Sequence, residues 1–188
     1  MSEAIVSLQR DHKYLSRLLD IFEQQMEAFE RGEDVDYDLV ERILEYFLSY
    51  PDQCHHPKED LIYARMQEKL GGQPGSGKSL QAEHEDIAAL TNAVMDAIQK
   101  VLGEAELSRN WVLTTSRNFL KAYRRHIELE ESMFFPKALE TLTAEDWADI
   151  DARATDRDDP LFGEKTEKRF EALRRYLLDL DQIAQETA

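Results

Sequence analysis

Histidine and glutamate recur in this chain at spacings that suit metal coordination. Two pairs consist of a histidine followed four residues later by a glutamate, a spacing that places both side chains on one face of a helix. One further histidine precedes each pair, by 43 residues in the first half and by 42 in the second. The six residues are His12, His55, Glu59, His84, His126 and Glu130. Imidazole and carboxylate groups suit iron or manganese, and zinc also accepts them.

The surrounding residues repeat together with the histidines. The segment LQRDH at 8–12 matches LQAEH at 80–84, and HHPKED at 55–60 matches HIELEE at 126–131. Self-similarity of this kind indicates one supersecondary unit that is used twice. We therefore predict two αα-hairpins, at about 1–72 and 76–142, which together form one bundle domain over 1–142.

Four long stretches must position these side chains. Their apolar residues recur every three or four positions, which predicts helices over about 2–30, 36–70, 78–102 and 107–139. Pro51 and Pro57 each remove a backbone donor from the second stretch, so we expect a kink or restart near Tyr50. For the segment 143–188 the sequence predicts a short capped helix, a loop and an amphipathic helix over about 164–186. We expect this segment to pack on the bundle. The strand-type alternation of apolar and polar residues does not occur, so the fold class is all-α.

Helix geometry indicates that the histidines can meet. Each lies 18 or 19 residues from the turn of its hairpin, or about 27–29 Å at 1.5 Å per residue. All four would therefore stand at one level and replace apolar residues in the inward stripes. Buried polar groups without partners are unfavourable, and a pair of metal ions would provide the partners.

Two neighbours of His55 need separate interpretation. The helical register of His56 is mostly polar, so we predict that His55 points inward and that His56 lies behind the ligands, at an interface or at the surface. Cys54 is a redox thiol, a sulfur ligand or a buried small residue. Its counterpart in the second half is Arg125, which favours burial over a ligand role.

Composition limits the function classes. The chain has 188 residues with 39 acidic and 23 basic side chains, a formal charge of −16. This charge argues against nucleic acid and anionic membranes as partners, because both would repel it. The N-terminus lacks the pattern of a secretory signal, and no apolar run reaches the length of a membrane span. With a single cysteine, we expect a cytoplasmic protein.

The histidine and glutamate pattern resembles the hemerythrin-like HHE cation-binding family. The matching residues are His12, His55 with Glu59, His84, and His126 with Glu130, and the likeness extends over about residues 1–163. The resemblance implies an up-down-up-down four-helix bundle that holds a non-haem di-iron centre. The oxygen carriers of the family have two histidines four residues apart on the third helix, whereas Ala88 follows His84 by four residues here. We therefore expect a nearly symmetric donor set and no dedicated role in oxygen transport.

Three functions remain open at this stage. The first is a protein with two iron ions (manganese or zinc being alternatives) that reacts with or senses O₂, NO or peroxide, or handles iron. The second is a redox enzyme of peroxidase or oxidase type that uses the same centre. The third is an interaction module without functional metal. A homodimer or a protein partner bound through the C-terminal helix is compatible with each of them.

Overall fold

The structure, a computed structural model, describes residues 2–72, 79–104, 108–154 and 159–186. It is helical throughout these ranges and contains no strand in them, as predicted. The helices are α1 (Glu3–Arg31), α2 (Tyr37–Phe47), α3 (His56–Leu70), α4 (Leu80–Leu102), α5 (Arg109–Leu129), α6 (Phe135–Thr141), α7 (Ala144–Arg153) and α8 (Glu171–Glu186). Two π-helical turns, Pro51–His55 and Glu130–Phe134, precede α3 and α6, and a 3-10 turn, Lys168–Phe170, precedes α8.

A four-helix bundle forms because the long helices are amphipathic and begin and end at specific residues. Gly32 ends α1 in the left-handed conformation, with φ of 75°, which glycine adopts without a steric penalty. The Asp36 carboxylate accepts a hydrogen bond from the Leu39 backbone N–H and starts α2. Ser79 starts α4 in the same way by accepting from Ala82. The glycine-rich sequence GGQPGSG at 71–77, which connects the two predicted hairpins, lies largely outside the described residues.

The kink predicted near Tyr50 is confirmed, and it is a π-helical turn. The His56 backbone N–H donates to the Pro51 carbonyl, five residues earlier. The fourth helix was predicted to be continuous, and this prediction is wrong, because a second wide turn interrupts it. There the Phe135 N–H donates to the Glu130 carbonyl. A proline follows each turn closely, and π-helical turns within helices are frequent at functional sites.

Two apolar clusters fill the interior on either side of a polar layer. The larger apolar cluster joins α1, α2, α4, α5 and α8 and includes Leu15, Phe22, Ile43, Phe119, Tyr123 and Leu173. The smaller apolar cluster joins α1, α3, α6 and α7 and includes Ile5, Leu8, Ile62, Met66, Phe135 and Ile150. Along α1 the change from one cluster to the other falls at Asp11 and His12, which are both buried. The predicted candidate residues therefore lie inside the bundle, between two packed apolar regions.

The C-terminal segment packs on the bundle through two helices. Thr143 and Asp146 form the predicted capping box of α7, which packs on α1 and α3. The last helix begins at 171 and not near 164, because the chain first turns with a Glu167 N–H to Pro160 carbonyl hydrogen bond. Its inner face buries Leu173 and Leu177, which pack in the larger apolar cluster. Ile183, further along the same helix, is 58% exposed.

Within the described ranges, no helix combines the length and the apolar composition that crossing a membrane requires.

Candidate metal centre

The structure brings all six predicted side chains together and buries each of them. They lie in the polar layer between the two apolar clusters and come from α1, α4, α5, the two π-helical turns and α3. Together with His56 they form, within the described residues, two overlapping groups of possible donors, and in each group the donor atoms lie within 4.8 Å of one another. The first group is His12, His55, Glu59 and Glu130, and the second is His56, Glu59, His84 and His126.

Both glutamates face both groups. Glu59 Oε1 lies 3.1 Å from His55 Nε2, and its other oxygen lies 3.2 Å from His84 Nε2. Glu130 Oε2 lies 3.2 Å from His12 Nε2, and its other oxygen lies 3.1 Å from His126 Nε2. Each carboxylate therefore directs one oxygen to each group, an arrangement in which two cations could share both glutamates.

The donor atoms lie close together without hydrogen bonds to satisfy them. Among the described residues, no aligned hydrogen-bond partner exists for either oxygen of Glu59 or Glu130, nor for Nε2 of His12, His56, His84 and His126. Each such buried atom would cost about 1–3 kcal/mol if it stayed unsatisfied. Carboxylate oxygens and imidazole nitrogens that converge in a buried layer fit a bound cation, so the residues present fit a metal pair.

Carboxylates behind the imidazoles fix their orientation. The Nδ1–H groups of His12 and His56 donate to Glu131 at 2.8 Å and to Asp52 at 3.0 Å. His55 Nδ1–H donates to the buried Asp11 at 3.4 Å. A carboxylate only accepts hydrogen bonds, so the proton must be on Nδ1, and Nε2 is left to face the centre. Histidines that bind metals usually have such a partner on the outer nitrogen.

The outer carboxylates follow the sequence repeat. Asp11 stands next to His12 on α1 and contacts His55 of the same hairpin. Its counterpart Glu83 stands next to His84 on α4 and lies 3.6 Å from Nδ1 of His126. The two halves therefore repeat the support of the candidate donors as well as the donors themselves.

Comparison with known proteins agrees with this geometry. Residues 3–138 match the family model described as the hemerythrin HHE cation-binding domain, which covers well over half of the chain. The chain belongs to the hemerythrin HHE family. Searches of the curated proteins and of the solved structures returned no match. The family and the buried histidine–glutamate cluster together indicate a metal-binding protein.

In this hemerythrin-like protein His56 differs from its sequence-based prediction. It is only 7% exposed, it belongs to the second group, and its ring stacks on that of His84 with centroids 3.7 Å apart. A polar register does not predict this burial, because it assumes a continuous α-helix through Pro51–His55, where the structure has a wide turn. One signal was present in the sequence: His56 precedes Glu59 by three residues, which also places two side chains on one helix face.

His56 makes the hemerythrin-like centre asymmetric. The first group has two histidines and the second has three, whereas the sequence was expected to supply a nearly symmetric set. Ile127 is the counterpart of His56 in the repeat, and it packs against the larger apolar cluster. Ala88 still follows His84 by four residues, so the expectation against a dedicated role in oxygen transport stays a prediction.

Cys54 is buried in the larger apolar cluster and belongs to neither donor group in the described structure. Burial as a small side chain agrees with the interpretation that the sequence favoured.

Charges in the hemerythrin-like centre perturb the pKa values of its histidines. Burial alone would lower the pKa of His55, but the charge of Glu59 and the hydrogen bond to Asp11 raise it to about 10. Burial would also lower the pKa of His84, but the nearby carboxylates of Glu130 and Glu59 outweigh this effect and raise the pKa to about 9. Burial would raise the pKa of Glu59, yet the charge of His55 lowers it well below its usual value. Without metal, protons on the imidazoles therefore provide the positive charge that the carboxylates need.

A cavity of about 910 Å³ reaches the second group from the surface. His126 and Glu130 form part of its wall, and apolar side chains such as Ile87 and Leu129 form much of the rest. Met133, which is 64% exposed, lies at this cavity. The cavity offers small molecules a route toward the candidate donors.

Proposed function

We propose that this protein holds two iron ions between its four long helical segments and reacts with or senses O₂, NO or peroxide, or handles iron. The observation that carries the proposal is the pair of glutamates whose oxygens each face a different histidine group. A carboxylate that directs its two oxygens to two different histidine groups can bind two ions at once, whereas a single ion would use one oxygen only. Manganese and zinc remain alternatives to iron, because the same donors accept them.

The seven side chains would divide between the two ions unequally. His12 and His55 would hold the first ion, and His56, His84 and His126 would hold the second, with Glu59 and Glu130 shared. Two histidines with carboxylate oxygens and open positions are typical of non-haem iron that reacts with oxygen. Each ion would keep open positions at which a small ligand could bind. An iron pair would supply electrons or a binding position for that ligand.

The protein's own residues prepare the centre for this role. Asp11, Asp52 and Glu131 hold the imidazoles in one tautomer, so the donor atoms need little rearrangement when metal enters. The two apolar clusters cover the polar layer on both of its faces and keep water away from them. Electrostatic interactions inside the layer are therefore stronger than in water. The acidic surface attracts cations to the protein as a whole.

Anaerobic loading with Fe²⁺ tests the proposal. We expect about two ions per chain, and an absorption change in the near ultraviolet when O₂, NO or peroxide is added. Glu130→Gln should lose metal, whereas Glu128→Gln, two residues away on the exposed side of the helix, should bind as the wild type does. Binding well below two ions, or an unchanged spectrum with every ligand, would contradict the proposal. Reversible binding of O₂ without its consumption would indicate an oxygen carrier in place of a sensor.

A redox enzyme of peroxidase or oxidase type is the second candidate. The cavity that reaches His126 and Glu130 favours it, because an organic substrate could approach the centre there. Peroxide turnover that is faster in the loaded protein than in the metal-free protein would support this alternative. The many buried donor atoms without partners speak against a third function, an interaction module that needs no metal.

We keep two further hypotheses about the setting of the protein. A reducing compartment such as the cytoplasm suits its single buried thiol. A second copy or another protein would dock on α8, where Leu178 and Ile183 are exposed. Light scattering on the full chain and on the Leu178→Glu variant tests this dimer.

A further inference from the structure

Tyr123 closes the polar layer on the side of the larger apolar cluster. It lies on α5, three residues before His126, and is 2% exposed. Its ring packs against Phe47 and Phe119, with centroids 4.7 and 5.7 Å apart. The edge of the ring approaches His126, with centroids 6.3 Å apart and planes at 88°. The phenol thus stands at the boundary between the apolar core and the candidate donors.

The hydroxyl group of Tyr123 is buried and has no hydrogen-bond partner among the described residues. Buried tyrosines normally place this group on an acceptor, as Tyr46 does with Asp159 at 2.8 Å and Tyr50 does with Asp11 at 3.1 Å. An unpaired hydroxyl in such a place is unfavourable and calls for an explanation.

Two bound cations would not satisfy this hydroxyl. They would take up the oxygens of both glutamates and the inner nitrogens of the histidines. Of the remaining unpaired atoms, Asp11 Oδ1 has Arg10 at 3.7 Å, and His126 Nδ1 has Glu83 at 3.6 Å. Among the described residues, Tyr123 Oη would still have no hydrogen-bond partner. A small ligand bound at the metal pair would supply one.

We propose that Tyr123 donates a hydrogen bond to a small anionic or oxygen-containing ligand, such as hydroxide, peroxide or azide, held at the metal pair. The inference rests on the proposed di-metal centre. The O–H group of a phenol can donate a hydrogen bond, and its ordinary pKa is about 10. Tyr123 is a positioning residue here, because it would orient the ligand and need not transfer its proton.

This role suits the chemistry of the layer. Carboxylates accept hydrogen bonds only, and the imidazole N–H groups point outward to their carboxylate partners. A donor aimed at a small bound ligand must therefore come from another side chain. The equivalent position in the first half of the repeat is Asp52, whose carboxylate accepts a hydrogen bond from His56 and cannot donate one. Tyr123 is therefore the member of this pair that can donate.

The test compares Tyr123→Phe with the control Tyr14→Phe in the full chain. Tyr14 stacks on Phe162, with centroids 3.9 Å apart, and belongs to neither donor group of the described structure. Azide is the probe, and its dissociation constant is measured from the absorption of the iron-loaded protein. The vibrational frequency of bound azide is then compared in H₂O and D₂O, and urea unfolding is followed on the metal-free proteins.

We expect the Phe variant at position 123 to bind two ions, to bind azide about tenfold to a hundredfold more weakly, and to lose the D₂O shift of the azide band. Its metal-free form should unfold at a higher urea concentration, because an unsatisfied hydroxyl has been removed. The Tyr14 variant should match the wild type. Unchanged azide affinity and an unchanged D₂O shift would overturn the inference, and so would loss of metal in the Tyr123 variant. Failure of the wild-type protein to bind metal would instead refute the proposed function.

Discussion

His56→Leu tests the assignment of a seventh donor, which separates the structure most clearly from the sequence-based prediction. The His56 imidazole offers Nε2 to the second group and donates from Nδ1 to Asp52 at 3.0 Å. Leucine has a similar volume and no polar atom. The substitution therefore removes one candidate ligand and one exposed hydrogen bond and keeps the packing.

The effect on the metal-free protein should be small. Burial lowers the pKa of His56, so its imidazole is neutral near pH 7 and its Nε2 is unsatisfied. Removing that atom recovers about 1–3 kcal/mol, and losing the bond to the exposed Asp52 costs about 0.5–1.5 kcal/mol. We expect the free energy of unfolding to rise by about 1 kcal/mol.

The effect on metal binding should be large and confined to one ion. A structural zinc site gains about 10–16 kcal/mol from four ligands, so one imidazole accounts for roughly 3 kcal/mol. This figure corresponds to about a hundredfold weaker binding of the ion in the second group. The first ion should bind as before, since His12 and His55 are unchanged.

Calorimetric titration of the metal-free protein with Fe²⁺ or Mn²⁺ measures both steps. Asp52→Asn is the matched variant, because it keeps the imidazole and removes only the carboxylate behind it. It should weaken the binding of the ion in the second group by about tenfold or somewhat more. Two tight ions in His56→Leu would show that His56 is no ligand and that the sequence-based interpretation was right. Loss of both ions would mean that the two groups do not act as separate positions.

Four further predictions concern the rest of the centre. Because the pKa values of His55 and His84 are raised to about 10 and 9, protonation stabilises the metal-free fold fully below about pH 6.5. Urea unfolding of the metal-free protein should therefore show stability declining from about pH 6.5 to pH 10, and a flat profile would contradict the charge assignment. Titration near pH 7 in buffers of different ionisation enthalpy should reveal release of about two protons on metal binding. Glu59→Gln should weaken the binding of both ions, and metal analysis after dialysis would detect this. Loss of one ion alone would show that the two ions do not share Glu59. Asp11→Asn should weaken the first ion about tenfold to a hundredfold while the second ion keeps its affinity in the same titration.

The repeated residues made most of the fold and much of the candidate site predictable. Polar side chains such as His12 and Glu130 occupy positions in apolar stripes, and a helix can place such groups only inside the bundle. The match between the two halves then indicated that they meet at one level. Composition and proline positions likewise predicted the all-helical class and the break near Tyr50, because they act locally.

What escaped prediction depends on backbone detail or on contacts between distant residues. The inward position of His56 follows a π-helical turn, and a pattern of 3.6 residues per turn cannot represent that turn. The hydroxyl of Tyr123 is unpaired because the described parts of the other helices place no hydrogen-bond partner beside it. A local sequence pattern does not encode such a contact between distant residues. The start of α8 at Glu171 likewise depends on the hydrogen bond between Glu167 and Pro160, which closes the preceding turn.

The asymmetry of the centre originates at one pair of equivalent positions. The repeat supplies each half with two histidines, one glutamate and an acidic residue behind an imidazole, so duplication alone would give two alike metal positions. His56 and Ile127 break this equivalence. In the first half the wide turn comes before this position, and the side chain joins the donors. In the second half α5 stays regular through Leu129, the wide turn follows at Glu130, and Ile127 packs against the larger apolar cluster. A histidine at 127 would therefore face apolar side chains and would not complete the first group, so the difference between the two donor groups is fixed by the backbone as well as by the residue.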